Sequence, residues 1–564
     1  MDNIKNLVSK VPKEVSYVTD VLEEAGFEAY LVGGCVRDLI IDRNPKDWDI
    51  TTNANPDQII ALFDKTVYEN NFGTVIVCVP SFEAQDVPYE TQNGNVLRET
   101  VEDNVSHLFA KALASVDETF LQVEVTPYRT EEKYSDFRHP DQVRFSDRLE
   151  DDLKRRDFTV NAMALSSKGQ DYNLTDMFNG IKDIKDKVLR TVGNPDERFA
   201  EDALRMMRAV RFACQLGFSV SYECSESILK NADLIEKISA ERIRDEFSKI
   251  ILSKNPSIGI VLLQKFGLLK NIIPELEEGT GCEQSGEHIY DVWNHLLHAL
   301  QHAADKNWPL EIRLAALFHD IGKPRARRLA LPDTFVQVLG SPAQDSFKEQ
   351  AQPDHSQKHT GSAKATVKKK YTFYGHEVVG ARMVKKIMEQ LKFPKKEIEL
   401  VEKLVRNHMF FSDTELITLS AVRRIVTKVG KENIWLLMNV RECDRVGMKK
   451  KEAPYRLRKY FAMIEEALRD PISVGQLKIN GEFMIKELNI APGPRMGWIL
   501  NALLEEVLDD PTKNTKEHLS ELVKSLNVLP DGALKALGDR GKEKKEELEE
   551  QAIEKLHSKH GVRK

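Results

Sequence analysis

The stretch GGCVRDLIIDRNPKDWDITT, residues 33–52, decides how the chain is read. Two glycines close the apolar run AYLV (29–32), a helix-like segment VRDLIID follows at once, and the short strand-like DWDITT ends the block. Asp47 and Asp49 stand two apart, so on a strand both carboxylates point to one face and can grip the same pair of cations. Magnesium suits such a place, because it takes one or two carboxylates and completes its shell with substrate phosphates. Gly33 and Gly34, followed by a helix bearing Arg37 and Asp38, set backbone N–H groups and a guanidinium where they can face a triphosphate. A DxD pair alone is a weak signal, and a lone Gly-Gly is usually a turn. The order Gly-Gly, helix with Arg-Asp, then DxD is far more specific.

Outward from this block, residues 13–26 read as a helix ending at Gly26, and strand-like runs return at TVIVCV (74–79) and FLQVEVTPYR (120–129). Residues 1–170 therefore read as a small mixed α/β head, with a polar, turn-rich insertion at about 80–119 between strands that would otherwise be hairpin neighbours. Glu124, in QVEVT, is a candidate third carboxylate on the neighbouring strand. From about residue 195 the strand signals thin out and apolar residues recur at helical spacing, as in AERIRDEFSKIIL (240–252). A second polar interruption covers about 326–372, and residues 531–564 form a charged tail that would make at best an exposed helix.

The bulk numbers bound the rest. With 564 residues, 41% hydrophobic and 30% charged, the chain reads as several packed units. A formal charge of −7 supplies no general attraction to a polyanion, so RNA binding must rest on local Lys and Arg patches. Cys35, Cys78, Cys214, Cys224, Cys282 and Cys443 contain no CxxC pair, which argues against a zinc knuckle or a secreted disulfide framework. No apolar run reaches the roughly 18 residues of a membrane span and no signal peptide is visible, so a cytoplasmic protein without membrane contact is expected.

EDALRMMRAVRF (201–212) spaces Glu201, Asp202, Arg205, Arg208 and Arg211 along what reads as one helix with otherwise apolar positions. Ion pairs within the neck explain such charges about as well as a ligand does. Facing a nucleotide, an Asp and Arg pair offers an acceptor beside donors. That matches the edges of adenine and cytosine, and leaves guanine and uracil with like groups opposed.

GGCVRD followed by KDWDITT resembles the first motif of class II tRNA nucleotidyltransferases and bacterial poly(A) polymerases, within the polymerase-β superfamily. LKRRDFTVNAMAL (153–165) is similar to their second motif, which implies that Arg155, Arg156, Asp157 and Asn161 hold triphosphate and ribose. The EDxxR segment resembles the motif that serves as a protein template: Glu201, Asp202 and Arg205 would select the base, with Arg208 and Arg211 near the phosphates. YRTEEKYSDFRHPDQVRFSDRLEDDL (128–153) resembles the loop used to switch from CTP to ATP, which implies full CCA addition. The resemblance thus implies an α+β polymerase-β-like head with Asp47, Asp49 and Glu124 as catalytic acids, Mg²⁺ at a two-metal site, and tRNA, CTP and ATP as partners. A poly(A) polymerase, or an enzyme adding only part of CCA, is the nearest alternative.

His295, then His319 and Asp320 in FHDIGKP, His376 in YGHEVVG, His408 in RNHM and Asp444 in ECDRVG are metal-ligand types on predicted helices. They resemble an HD phosphohydrolase domain, which implies a second divalent metal of unknown identity and activity toward phosphorylated or cyclic-phosphate RNA ends. An HD phosphohydrolase with a binding-only head is the reading from another class. The segment 477–519 resembles the C-terminal helical part that holds tRNA in HD-fused relatives. The expected organisation is head 1–170, base-reading neck 171–275, HD domain 285–450, helical tRNA-binding segment 451–530 and tail 531–564.

Overall fold

The computed structural model describes residues 7–69, 73–81, 120–132, 142–166, 173–284, 288–329, 371–409, 417–448, 454–469 and 473–562. Most of the insertions read at about 80–119 and 326–372, and the centre of the 128–153 segment, lie outside the described residues. The chain forms two compact units, Met1–Gln284 with Tyr290–Glu402, and Ser285–Ile289 with Lys403–Lys564. This boundary runs inside the segment read as the HD domain.

In the first unit, helix α1 (Lys13–Glu24) buries Val15, Val18 and Leu22, a stripe at three- and four-residue spacing. Strand β1 (Ala29–Val32) runs up to the 33–52 stretch, which forms helix α2 (Gly34–Ile40) and strand β2 (Asp49–Thr52). Next come β3 (Thr66–Glu69), β4 (Thr74–Pro80), β5 (Phe120–Pro127), β6 (Arg129–Glu132), β7 (Gln142–Phe145), β8 (Met163–Ser166) and β9 (Asn173–Asp176). Seven of these make one mixed sheet in the order β3-β4-β5-β2-β1-β8-β9, while β6 and β7 pair separately. The β4 and β5 runs on either side of the first insertion are antiparallel neighbours. β2 and β5 are parallel, with Asp49 opposite Glu124. Alternation in β5 sends Val123 and Val125 into the core and leaves Glu124 exposed.

Helix α3 (Leu149–Lys154) leads to the RRD turn, and α4 (Pro195–Glu201), α5 (Leu204–Leu216) and α6 (Ala240–Ile251) form the helical neck. The EDxxR segment is not one continuous helix. Asp202 is extended (φ −140°, ψ 103°), and its Oδ1 accepts from the Leu204 amide at 3.0 Å. This extended residue ends α4, and α5 begins after Ala203. Further on, α7 (Val292–Asp305), α8 (Leu310–Phe318) and α9 (His376–Gln390) carry the histidines.

The second unit is helical: α10 (Leu419–Val429), α11 (Ile434–Asp444), α12 (Pro454–Leu468), α13 (Pro494–Asp509), α14 (Lys516–Asn527) and α15 (Asp531–Lys559). Ile499, Leu503, Leu519, Val523 and Leu534 share one core. The tail differs from its reading as an exposed helix. Gly541 brings the α15 backbone so close to α13 that an added Cβ would stand 2.2 Å from the Asn501 carbonyl oxygen. Small residues, which hydropathy patterns undervalue, make this contact. Arg495 of the GPRMG turn donates to the Asn527 and Leu529 carbonyls at 2.6 and 2.7 Å, so it joins α13 to the α14–α15 turn. Among the described residues no helix is long and apolar enough to cross a membrane. All six cysteines are buried and free.

Candidate active site

Asp49 opens β2, whereas Asp47 stands in the bend before it. The expectation that a strand carries both acids therefore holds only for Asp49, because Pro45 and the turn at Lys46 delay the onset of pairing. The two still share a field. Burial raises the Asp49 carboxyl above the usual range, Arg156 opposes this, and the Asp47 charge adds to it. Between them Trp48 is 5% exposed and anchors the bend, while its carbonyl accepts from the Glu124 amide at 2.9 Å. Residues opposite each other on neighbouring strands project to the same face, so Glu124 joins Asp49 there. An all-oxygen donor set of this kind, half open to solvent, fits magnesium.

Gly33 connects this acidic edge to the RRD turn. Its φ of +83° is a left-handed conformation, and a Cβ there would lie 2.9 Å from Arg156 Nη1 and 3.6 Å from Asp49 Oδ2. The glycine step, the DxD acid and the RRD arginine thus meet at one point. Asp152, fully buried on α3, holds both arginines: it accepts from Arg155 Nε at 2.9 Å and from Arg156 Nη2 at 3.0 Å. Burial would raise Asp152, but Arg156 and Arg155 together keep it below the ordinary carboxylate range.

Behind this edge runs a chain of buried polar contacts. Arg37 pairs with Asp38 at 2.7 Å and donates to Asn161 Oδ1 at 2.7 Å, and Asn161 donates to Asp157 Oδ1 at 3.4 Å. Arg208 closes on Asp157 Oδ2 through Nε at 2.8 Å and Nη2 at 2.7 Å, and Arg211 pairs with Glu246 of α6 at 3.0 Å. The guanidinium carbons of Arg37, Arg208 and Arg211 lie 5.3, 5.4 and 4.4 Å from the centre of the Phe212 ring. Acids and one aromatic face hold together three like charges that would otherwise repel. Burial pushes Asp157 up, but Arg208 outweighs it and draws the carboxyl down to about 2. Burial and the neighbouring Arg208 lower Arg211 to about 10.

Asp202 and Arg205, read as a pair, are each engaged elsewhere. Arg242 of α6 grips Asp202 with both terminal nitrogens, at 3.3 and 2.7 Å. Arg205 donates to Glu201 at 2.6 Å and to the Arg155 carbonyl at 3.1 Å. Gly34 adjoins Arg37, whose Nη2 would be 3.7 Å from a Cβ there. Reading the sequence passed over Asp152, Phe212, Arg242 and Glu246. The spacing of Asp152 from Arg155 and Arg156, three and four residues, was a usable signal. So was the position of Glu246 on the apolar face of α6, beside Ile243, Phe247 and Ile250.

The first unit also gathers His295, His319, Asp320 and His376. His295 Nε2 and His319 Nε2 are 3.0 Å apart, and His376 Nε2 is 3.1 Å from Asp320 Oδ1. All four are at most 5% exposed. His319 Nδ1 donates to the Ala316 carbonyl at 2.8 Å and His376 Nδ1 to the Phe373 carbonyl at 2.7 Å, which leaves the Nε2 lone pairs facing inward. Inward lone pairs beside a carboxylate suit a divalent cation. Gly322 permits this: a Cβ would stand 2.2 Å from the His376 carbonyl oxygen, so only glycine lets α9 come so near. Lys323 pairs with Asp320 at 2.5 Å. Burial opposes ionisation of Asp320, yet the Lys323 ammonium beside it keeps its pKa well below the ordinary value. His408 and Asp444 stand in the second unit. There His408 is buried with Nδ1 donating to the Val405 carbonyl at 2.6 Å, and Asp444 ends α11.

Four protein families match parts of the chain. The poly A polymerase head domain family matches residues 29–93 and 85–190, and the "Probable RNA and SrmB-binding site of polymerase A" matches 217–279. The HD domain matches 286–449, and tRNA nucleotidyltransferase domain 2 matches 376–523. The CCA-adding enzyme of Ligilactobacillus salivarius is 41% identical over 258 residues, which is 45% of this chain and 54% of that protein. The CCA-adding enzyme of Lactococcus lactis is 38% identical over 275 residues, 48% and 59% of the two chains. The chain thus spans little more than half the length of these relatives. The solved Bacillus stearothermophilus CCA-adding enzyme in complex with CTP has a similar fold, with TM-score 0.52, 23% identity, and 91% and 97% of the two chains covered.

Proposed function

We propose, for a chain whose residues 29–190 match the poly A polymerase head family and whose residues 286–449 match the HD domain, that it adds CCA to the 3′ end of tRNA from CTP and ATP without a nucleic-acid template. The observation that carries this reading is the meeting at Gly33 of Asp49 and Arg156, an acid and a guanidinium at one glycine step. Relatives at about 40% identity that bear the name CCA-adding enzyme favour CCA over a homopolymer.

In this reading Asp47, Asp49 and Glu124 hold magnesium, which when bound supplies positive charge to the phosphates and makes the attacking hydroxyl more acidic. The RNA 3′-hydroxyl attacks the α-phosphate of the bound nucleotide in line and pyrophosphate leaves. Gly33 keeps the backbone low enough for the triphosphate to pass, and Arg156 and Arg37 offset its charge. Asp157 and Asn161 orient the ribose side, with Arg208 holding Asp157 ionised. Asp202 accepts from the exocyclic amine of cytosine or adenine and Arg205 donates to the ring nitrogen beside it. Glu201 and Arg242 set their directions. Both side chains exchange a present partner for the base, so positioning rather than raw affinity provides selection.

A second reading concerns the histidine cluster. Its inward Nε2 atoms favour a divalent metal and phosphohydrolase activity on phosphorylated or cyclic-phosphate RNA ends, with His408 and Asp444 assigned to the same ligand set by sequence. A cytoplasmic location is part of the proposal. The test is incubation with a tRNA lacking CCA, magnesium, and each labelled nucleotide alone and together. Two C followed by one A and no further growth supports the reading. A long A ladder replaces it with poly(A) synthesis, C-only or A-only products indicate a partial enzyme, and no incorporation refutes it.

A further inference from the structure

An open cleft of about 620 Å³ in the second unit lies between α11, α12 and the C-terminal half of α15. This volume is in the range of small-ligand pockets, about 300–1,000 Å³. We propose that it binds a nucleotide, taking one base and its phosphate. The proposal goes beyond the transfer reaction and does not depend on it.

Trp435 forms the base-recognising wall. Its side chain is 37% exposed, and an edge-on contact with Phe461, at 5.8 Å between ring centres, holds the indole in place. Leu468, Leu556 and Ala552 complete an apolar lining of the size a base and sugar fill. Two cations supply the charge. Arg469 Nη1 is buried and has no hydrogen-bond partner among the described residues, a costly arrangement that an anionic oxygen relieves. Lys555 lines the same cleft. The one acid there is already neutralised: Glu465 accepts from Lys559 at 2.8 and 3.0 Å and faces His560 Nε2 at 3.0 Å. An exposed indole between leucine walls, with two cations left over, matches an aromatic base carrying a phosphate. An acidic peptide would use the cations but not the indole.

That chemistry has two sources, an unpaired nucleotide of an RNA and a free nucleoside triphosphate, and the experiment separates them. Tryptophan fluorescence of the full-length protein is recorded against Trp435→Phe, so that the difference reports Trp435 alone, during titration with a short single-stranded RNA, ATP or inorganic phosphate. Quenching of the difference signal by RNA but not by ATP supports an RNA contact, and quenching by ATP supports a free-nucleotide site. In either case Arg469→Gln with Lys555→Gln should weaken binding by at least about fivefold. For RNA it should also flatten the dependence of log K on log salt by about 1.4, the share of two phosphates on a single strand. No quenching by RNA or ATP, or quenching by inorganic phosphate equal to theirs, overturns the proposal. Because the primary signal compares the native chain with a conservative aromatic replacement, it stays decisive even where the charge variants unfold.

Discussion

The acids of the head and the histidines of the HD segment meet solvent in opposite ways. Asp47 and Glu124 are exposed and Asp49 is half-buried, whereas His295, His319, Asp320 and His376 are sealed. The head instead buries its cations, with Arg37, Arg205 and Arg211 each under 10% exposed and paired to acids. In the proposed reaction the open carboxylates would hold magnesium loosely and let it arrive with a triphosphate. Enclosed imidazoles with fixed tautomers favour a resident metal whose binding falls as the histidines protonate. Two phosphate chemistries on one chain would thus differ less in ligand type alone than in what is left open.

The strongest test of that contrast is Asp49→Ala, which should lower nucleotide incorporation by about 1,000-fold or more while leaving the metal content of the chain unchanged. Equal loss of bound metal in this variant would break the separation of the two sites. His319→Ala should do the reverse, weakening retained manganese or nickel by about 100-fold in equilibrium dialysis, with incorporation of C and A intact. Arg208→Met addresses the buried side of the head. It leaves Asp157 in a low-dielectric site without its guanidinium, and the first melting transition should fall by the equivalent of about 3 kcal/mol. Smallest is the acid limb. The Asp157 carboxyl, held at about 2 in the fold against an ordinary 3.8, stabilises the head above pH 3.8, and this contribution disappears as pH falls through about 2. Thermal melts between pH 4 and pH 2 should lose on the order of 2 kcal/mol from this group, and Asp157→Asn should flatten that slope.

Much of the first unit was legible because its chemistry is local. Gly33, Arg37 and Asp49 fall within one turn-helix-strand block, and the alternation around Glu124 is visible over five residues. The break at Asp202 was not, since helical periodicity runs unbroken through EDALRMM and only the cap to Leu204 shows where the axis changes. Arg242 and Glu246 escaped for a related reason. Their partners, Asp202 and Arg211, lie about 40 and 35 residues away, and no spacing rule reaches across that distance.

Sequence alone singled out the candidate side chains and the order of strand and helix around them, because periodicity and turn residues act over a few positions. Only the folded chain decided how the charges are spent. It turned Asp202 toward Arg242, committed Arg211 to Glu246, set three guanidinium groups around Phe212, and packed a charge-rich helix by way of Gly541. Those outcomes depend on burial and on which partner lies within about 3 Å, which are properties of the packed interior rather than of neighbours along the chain.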